Sequence, residues 1–150
     1  ALRAFFDLGA RYMTLTHSAN IDWADSCCEA PRLGGLSPFG EEVVREMNRM
    51  GMLVDLSHVS EDGMLDTLRV AQAPVIFSHS SARALTNHPR NVPDPILARL
   101  PRNGGVVMVT FVPAFISPEA AAWDARLSAA LRRWGHAGAA AVGDYEVATS

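Results

Sequence analysis

Apolar residues along the chain follow two spacings, one typical of buried strands and one typical of amphipathic helices. Short, mostly apolar runs predict parallel strands, because strands buried on both faces are almost continuously hydrophobic. We predict these strands at residues 12–16, 52–56, 74–77 and 104–112. Apolar residues spaced three and four positions apart predict helices at residues 2–8, 38–50, 60–71, 93–100 and 118–134. The alternation of strands and helices with short connections indicates parallel βα units.

Capping residues mark the ends of two predicted helices. Ser37 precedes Pro38, and this order is favoured at a helix start because serine caps the first turn and proline fits its first position. Gly51 is expected to end the same helix, since glycine readily adopts the left-handed conformation found there. Ser60 followed by Glu61 predicts the start of the helix that comes after the second strand.

Four parallel strands with intervening helices fit either a doubly wound sheet or part of a (β/α)8 barrel. A dinucleotide-binding doubly wound sheet has a Gly-x-Gly-x-x-Gly turn, and no such turn opens a helix in this sequence. A complete barrel needs about 250 residues, whereas the chain has 150. We therefore predict an α/β fold, a partial (β/α)8 TIM-type barrel of about four parallel βα units. Residues 1–134 are assigned to this barrel fragment and residues 135–150 to a weakly ordered tail rich in alanine and glycine.

Composition and charge narrow the classes of partner and chemistry. The net charge of -3 and the pI near 5.9 provide no basic surface for nucleic acid. No apolar run reaches the roughly 20 residues of a membrane span, and no signal peptide is recognised, so we expect a cytoplasmic protein. All 13 basic residues are arginine, which excludes lysine Schiff-base chemistry within the chain. The adjacent Cys27 and Cys28 are predicted to be reduced loop thiols, since a disulfide between neighbours would be strained.

Three histidines follow predicted strands, in the segments YMTLTHS, VDLSHVS and VIFSHSS, at His17, His58 and His79. The carboxyl ends of parallel strands meet at one edge, and neighbouring strands lie about 4.8 Å apart, so His58 and His79 can reach one metal ion. Zinc takes three or four protein ligands, so the two imidazoles amount to half of a site. A single histidine at a strand end is more often a hydrogen-bonded structural residue, but the repeated pair favours a metal.

Other polar residues are candidates for supporting such a site. His17 precedes the polar loop SANIDWADS and is a candidate for metal binding, substrate contact or a structural role. Asp55 is a candidate to orient His58, with an ordinary buried carboxylate paired to an arginine as the alternative. Arg90, in the proline-braced segment HPRNVPD, suits bidentate capture of a carboxylate, with a solvated loop arginine as the alternative.

The remaining histidines and the neighbouring serines are assigned no catalytic role. His88 lies in a loop and His136 in the tail, and both are predicted to be surface residues. The serines next to His58 and His79 do not predict a Ser-His-Asp triad, because adjacent side chains on a strand point to opposite faces.

The segments RYMTLTHSANIDWADS, GLSPFGEEVVREMNRMGMLVDLSHVS, APVIFSHSSARAL, HPRNVPD and GGVVMVTFVPAFIS resemble consecutive segments of the membrane dipeptidase family, also called renal dipeptidase. The resemblance covers the chain from about Ala1 to Pro118. It implies a (β/α)8 barrel with two zinc ions that hydrolyses dipeptides. On this resemblance, His58 and His79 bind one zinc ion, His17 contacts the substrate near the scissile carbonyl, and Arg90 binds the substrate's terminal carboxylate.

Other ligands of the family pattern have no counterpart in this sequence. These are the His-x-Asp of the first strand, the glutamate that bridges the two metals and the aspartate of a late DFDG segment. The expectation is an internal fragment of a dipeptidase, inactive by itself, with a dipeptide as substrate and a homodimer as a candidate assembly. The alternatives are another amidohydrolase-like, metal-dependent hydrolase acting on a lactone or cyclic amide, and a non-catalytic βα module.

Overall fold

The computed structural model describes residues 1–133, within which the chain forms four strands and seven helices. The strands are β1 (Tyr12–Thr14), β2 (Leu53–Asp55), β3 (Ile76–Ser80) and β4 (Val106–Val109). The helices are α1 (Leu2–Asp7), α2 (Pro38–Met50), α3 (Glu61–Val70), α4 (Asp94–Leu97), α5 (Leu100–Asn103), α6 (Pro113–Ile116) and α7 (Pro118–Arg133). The predicted tail at residues 135–150 lies outside the described residues.

The four strands form one parallel sheet in the order β1-β2-β3-β4, so each strand pairs with the next one along the chain. Met13 lies opposite Val54, and Asp55 lies opposite Ile76. The register between β3 and β4 shifts beyond Phe77. The prediction of an α/β fold with four parallel βα units is confirmed. Because all four strands run in one direction, their carboxyl ends form a single edge, which we call the carboxyl edge.

The predicted helix caps are present. The Ser37 hydroxyl accepts a hydrogen bond from the Gly40 N–H at 3.2 Å, and the Ser60 hydroxyl accepts one from the Gly63 N–H at 3.1 Å. Gly51 ends α2 in the left-handed conformation, with φ of 78°. A serine N-cap contributes about 1 kcal/mol to helix stability. These local interactions fix the starts of α2 and α3 and the end of α2.

A buried apolar core joins helices α2, α3 and α4 to the central strands of the sheet. Its largest fully buried members are Val44, Met47, Val54, Leu56, Val59, Met64, Val75, Phe77, Val92 and Ile96. Each such side chain contributes roughly 1.5–3 kcal/mol through the removal of apolar surface from water. This packing holds β2 and β3 rigidly together, and the polar residues at their carboxyl ends are therefore carried on a fixed frame.

Strands β1, β2 and β4 are shorter than predicted but lie within the predicted ranges, whereas two other elements differ in position or are divided. Strand β3 begins two residues later than predicted and continues to Ser80, so His79 lies inside the strand and not beyond it. The predicted helix at residues 93–100 is divided into the two short helices α4 and α5. Pro101 explains the division, because proline fits the first turn of α5 but would clash with the carbonyl of Leu97 in a continuous helix. The short helix α6 is not among the predicted elements.

Asp25 anchors the long loop between β1 and α2. Its buried Oδ2 accepts hydrogen bonds from the backbone N–H groups of residues 32–35, at N···O distances of 2.8 to 3.2 Å. Burial raises the pKa of Asp25, but these four hydrogen bonds outweigh that effect, and its pKa lies below the ordinary value of 3.8. The charged carboxylate therefore stabilises the folded loop.

We expect Asp25→Asn to lower the free energy of unfolding at pH 7 by about 2 kcal/mol, because hydrogen bonds to a charged acceptor are lost. Since the pKa of Asp25 is lower in the folded than in the unfolded chain, this stabilisation is complete above about pH 4 and disappears as the pH falls through the folded-state pKa. Urea unfolding at pH 7 and pH 3 measures both effects. The fully exposed Asp22 supplies the control, and Asp22→Asn should change stability by less than about 0.5 kcal/mol. An equal Asp25→Asn deficit at both pH values would contradict the prediction.

Candidate metal centre

His58 and His79 lie close together at the carboxyl edge. His58 follows β2, and His79 lies near the end of β3. Their Nε2 atoms are 2.9 Å apart, and their ring centroids are 4.9 Å apart. A tetrahedral zinc ion bound to two imidazoles at about 2.05 Å would hold the two nitrogens about 3.3 Å apart. A small rotation of either ring therefore makes room for an ion. The two histidines lie together as their strand-end positions predict, and their role as ligands stays a prediction.

The donor set of this pair fits zinc, which commonly binds imidazole nitrogen. His58 is 2% exposed, and its Nδ1 is buried without a hydrogen-bond partner among the described residues. Within residues 1–133, no group of three or more His, Cys, Asp and Glu side chains is arranged to hold a metal ion. The pair would thus supply two of the three or four protein ligands that a zinc site requires.

His17 lies on the same edge and contacts the pair through its ring face. The rings of His17 and His58 are stacked, with centroids 4.0 Å apart and an interplanar angle of 27°. Ser26 ties the two residues together, since its hydroxyl lies 2.6 Å from the His17 carbonyl and 3.3 Å from the His58 carbonyl. The His17 side chain is exposed. A molecule bound at the edge can therefore reach it directly.

The backbone of His58 is left-handed, with φ of 69°, the one positive φ among the described non-glycine residues. Such a conformation costs on the order of 1 kcal/mol or more and persists where surrounding contacts enforce it. Here the His58 carbonyl accepts hydrogen bonds from the Cys27 N–H at 2.8 Å and from the Thr16 hydroxyl at 3.2 Å. These contacts hold the sharp turn after β2 that directs the imidazole to the edge.

Asp55, the last residue of β2, makes no hydrogen bond to His58. Its carboxylate accepts hydrogen bonds from the Thr14 hydroxyl at 2.7 Å, the Ser57 N–H at 3.0 Å and the Ser78 N–H at 2.9 Å, and from the Ser78 hydroxyl. Both predicted roles, orienting His58 and pairing with an arginine, are therefore wrong. The reason is the parallel sheet, which surrounds Asp55 with hydroxyl and amide donors from β1 and β3.

Ser78 contacts its neighbour in sequence, with its Oγ 2.7 Å from His79 Nδ1. The prediction that a serine and the adjacent histidine point away from each other is therefore wrong here. The register shift in β3 beyond Phe77 interrupts the regular alternation of side chains. No Ser-His-Asp triad results, because the Asp55 carboxylate binds the serine hydroxyl and not the imidazole. Ser78 is missing from the predicted site residues, and the signal for it is the repeated Ser-His pair.

Arg90 is buried, being 4% exposed, so the alternative of a solvated loop arginine is wrong. Its guanidinium donates from Nη2 to the His79 carbonyl at 3.1 Å and lies 5.3 Å from the centre of the Phe115 ring. Phe115, from α6, covers this part of the loop. Arg90 therefore lies beside the histidine pair. Its role in binding a carboxylate stays a prediction.

Of the other residues considered in the sequence, His88, Cys27 and Cys28 lie within the part of the chain that the structure describes. His88, predicted to be a surface residue, is partly exposed, and its ring packs against Phe115 with ring centroids 4.6 Å apart. His136 lies outside the described residues. The sulfur atoms of Cys27 and Cys28 are 3.5 Å apart, which is longer than the S–S bond of about 2.05 Å in a disulfide. Among the described helices, none is long and apolar enough to cross a membrane.

Comparison with known proteins identifies the family. The model of the membrane dipeptidase family, peptidase family M19, matches residues 1–144. Dipeptidase tcpJ of Claviceps purpurea is 59% identical over 113 residues, which are 75% of this chain and 27% of that protein. An uncharacterized dipeptidase of Schizosaccharomyces pombe is 54% identical over 118 residues, or 78% of this chain and 29% of that protein.

A solved structure shows the same fold. The probable dipeptidase PvdM from Pseudomonas aeruginosa is 31% identical and superposes with a TM-score of 0.80, over 89% of this chain and 35% of that one. This similarity confirms that the four βα units are part of a TIM-type barrel. The chain spans between 23% and 29% of the length of the curated relatives that it matches. With a family model that covers nearly the whole sequence, the chain belongs to the membrane dipeptidase family of metal-dependent peptidases, M19.

Proposed function

We propose that this chain is part of a zinc-dependent dipeptidase that hydrolyses dipeptides with a metal-activated water. The observation that carries the proposal is the His58–His79 pair, whose Nε2 atoms lie 2.9 Å apart at the carboxyl edge of a barrel sheet. A metallopeptidase from Rhodobacter sphaeroides, 32% identical with a TM-score of 0.72, is described as liganded with a phosphinate mimic of the dipeptide L-Ala-D-Ala. We use "the complete enzyme" for this chain together with the rest of its barrel.

Some residues of this chain would bind the metal, and others would contact the substrate. His58 and His79 would hold one of two zinc ions through their Nε2 atoms. A bound zinc ion lowers the pKa of its water towards 7 and polarises a carbonyl. His17, exposed and stacked on His58, would donate a hydrogen bond to the oxygen of the attacked carbonyl.

Arg90 would set the class of substrate. Its buried guanidinium next to His79 is suited to bidentate binding of the substrate's terminal carboxylate. A lactone or cyclic amide without a free carboxylate would leave this group without a role, which favours a dipeptide over the substrates of other amidohydrolases. A homodimer and a cytoplasmic location belong to the same proposal and rest on the sequence alone.

We expect the isolated chain to hydrolyse dipeptides at a negligible rate, even with zinc supplied. Two imidazoles form half of a site, and the edge strands leave apolar residues such as Val106 and Val109 exposed. The measurement is release of free amino acid by the purified chain and by the complete enzyme under the same conditions. The complete enzyme should turn over dipeptides, lose activity with a chelator and regain it with zinc. Zinc-dependent turnover by the isolated chain would contradict the half-site interpretation.

A further inference from the structure

Ser78 connects a buried carboxylate to the ring of His79. Its hydroxyl donates to Asp55 Oδ2 and lies 2.7 Å from His79 Nδ1. Its backbone N–H donates to Asp55 Oδ1 at 2.9 Å, so the residue is held at two points. On the far side of the ring, His79 Nε2 faces His58 Nε2 at 2.9 Å. One hydroxyl therefore stands between Asp55 and the imidazole that borders the candidate metal centre.

The number of protons in this arrangement determines the direction of each hydrogen bond. A carboxylate can only accept, and Asp55 accepts from the Thr14 hydroxyl, from the Ser57 N–H and from both polar groups of Ser78. A serine hydroxyl has one proton, and here that proton is directed to Asp55. Ser78 therefore offers a lone pair to His79, and His79 Nδ1 must be the donor. A neutral imidazole that is protonated on Nδ1 has an unprotonated Nε2.

We propose that Asp55 and Ser78 are positioning residues, which hold His79 in the tautomer protonated on Nδ1 and so present the Nε2 lone pair to a metal ion. The metal ion rests on the proposed function, whereas the tautomer is a property of the chain without metal. Histidines that bind metals generally donate their other ring N–H to a fixed acceptor, which sets the tautomer and the ring orientation. In this chain the acceptor is a serine hydroxyl, itself fixed by a fully buried carboxylate.

The two histidines of the pair are consequently unequal. His79 has a fixed partner on Nδ1, whereas His58 Nδ1 is buried without a hydrogen-bond partner among the described residues. The hydrogen bond between the two Nε2 atoms then requires His58 to be the donor while no metal is bound. His79 is thus preorganised as a ligand, and His58 must move its proton before it can bind an ion.

The sharpest test is the isosteric change Asp55→Asn in the metal-free chain. If the asparagine NH2 occupies the place of Oδ2, it donates to Ser78, and the serine proton turns towards His79 Nδ1. We expect the ¹⁵N chemical shifts of the neutral His79 ring to show protonated Nδ1 in the wild type and protonated Nε2 in Asp55→Asn. Ser78→Ala, which removes the acceptor, should also lose the Nδ1–H form, whereas Ser78→Thr should retain it.

Zinc binding, followed by NMR titration of the imidazole signals, supplies the second readout. Ser78→Ala should weaken binding about 10- to 100-fold. Ser81→Ala is the matched control, because Ser81 directly follows β3 and its buried hydroxyl donates to the Thr110 carbonyl at 3.0 Å and not to the site. We expect that control to change neither the tautomer nor the zinc affinity.

Three outcomes would overturn the inference. The first is a wild-type His79 protonated on Nε2. The second is a tautomer unaffected by both Asp55→Asn and Ser78→Ala. The third is a tautomer that changes in Ser78→Ala while zinc affinity does not. A wild-type chain that shows the Nδ1–H form but binds no zinc at His58 and His79 would support the positioning role and refute the proposed metal site.

Discussion

Replacing His79 by alanine in the complete enzyme should lower kcat/KM for a dipeptide by about a thousandfold or more, with loss of bound zinc in the same variant. The size of the effect follows from the role expected of the metal, which lowers the pKa of a bound water to about 7 and so supplies the nucleophile at neutral pH. His79 is the preorganised half of the pair, with Nδ1 held by Ser78 at 2.7 Å. Its removal leaves His58 as the one remaining imidazole of the pair, with the His17 ring stacked against it.

His58 calls for a different substitution. With φ of 69°, alanine at this position would retain the backbone strain, whereas asparagine adopts the left-handed region more readily. We therefore pair His79→Ala with His58→Asn and expect a similar loss of zinc and activity from both. Zinc content is measured by atomic absorption, and urea unfolding of each variant separates loss of metal from loss of fold. Full zinc occupancy and wild-type kcat/KM in either variant would refute the assignment of that histidine.

The sequence predicts the elements whose causes are local. Ser37, Pro38 and Gly51 define α2 correctly because a hydroxyl cap, a proline in the first turn and a left-handed glycine act within a few residues. The extent of β3 has another cause. The N–H groups of Ser78 and His79 bind the side chains of Asp55 and Ser57, more than 20 residues earlier. No local pattern of apolar residues contains that information.

The candidate site likewise has features that the sequence predicts and features that it does not. The meeting of His58 and His79 follows from topology, since the ends of neighbouring parallel strands must share an edge. The partner of Asp55 does not follow from topology, because it depends on the register shift that turns the Ser78 hydroxyl between Asp55 and His79. The burial of Arg90 likewise depends on Phe115, which lies in α6. This helix is too short to show a periodic pattern of apolar residues. Pairings across strands therefore set the parts of the site that the sequence leaves open.

The position of Arg90 leads to a specific expectation about substrates. Its Nη2 binds the His79 carbonyl at 3.1 Å, which places the guanidinium next to a proposed zinc ligand. If the planar group also grips the terminal carboxylate of the substrate, the scissile bond must lie within one residue of that terminus, over the metal. The complete enzyme should then cleave dipeptides and reject longer peptides and amidated dipeptides.

Arg90→Lys should lower kcat/KM for a free dipeptide about ten- to a hundredfold, because losing a charge-assisted, bidentate contact costs roughly 1.5–3 kcal/mol. The loss should be much smaller for the amidated dipeptide, which offers Arg90 no carboxylate. Arg83→Lys is the matched control, since Arg83 braces the same loop through the Asn91 carbonyl at 3.2 Å and pairs with Glu61 at 2.9 Å. Any effect of that control should be equal on both substrates. If Arg90→Lys also reduced kcat/KM equally for free and amidated dipeptides, Arg90 would be a residue that shapes the loop, and the restriction to dipeptides would need another cause.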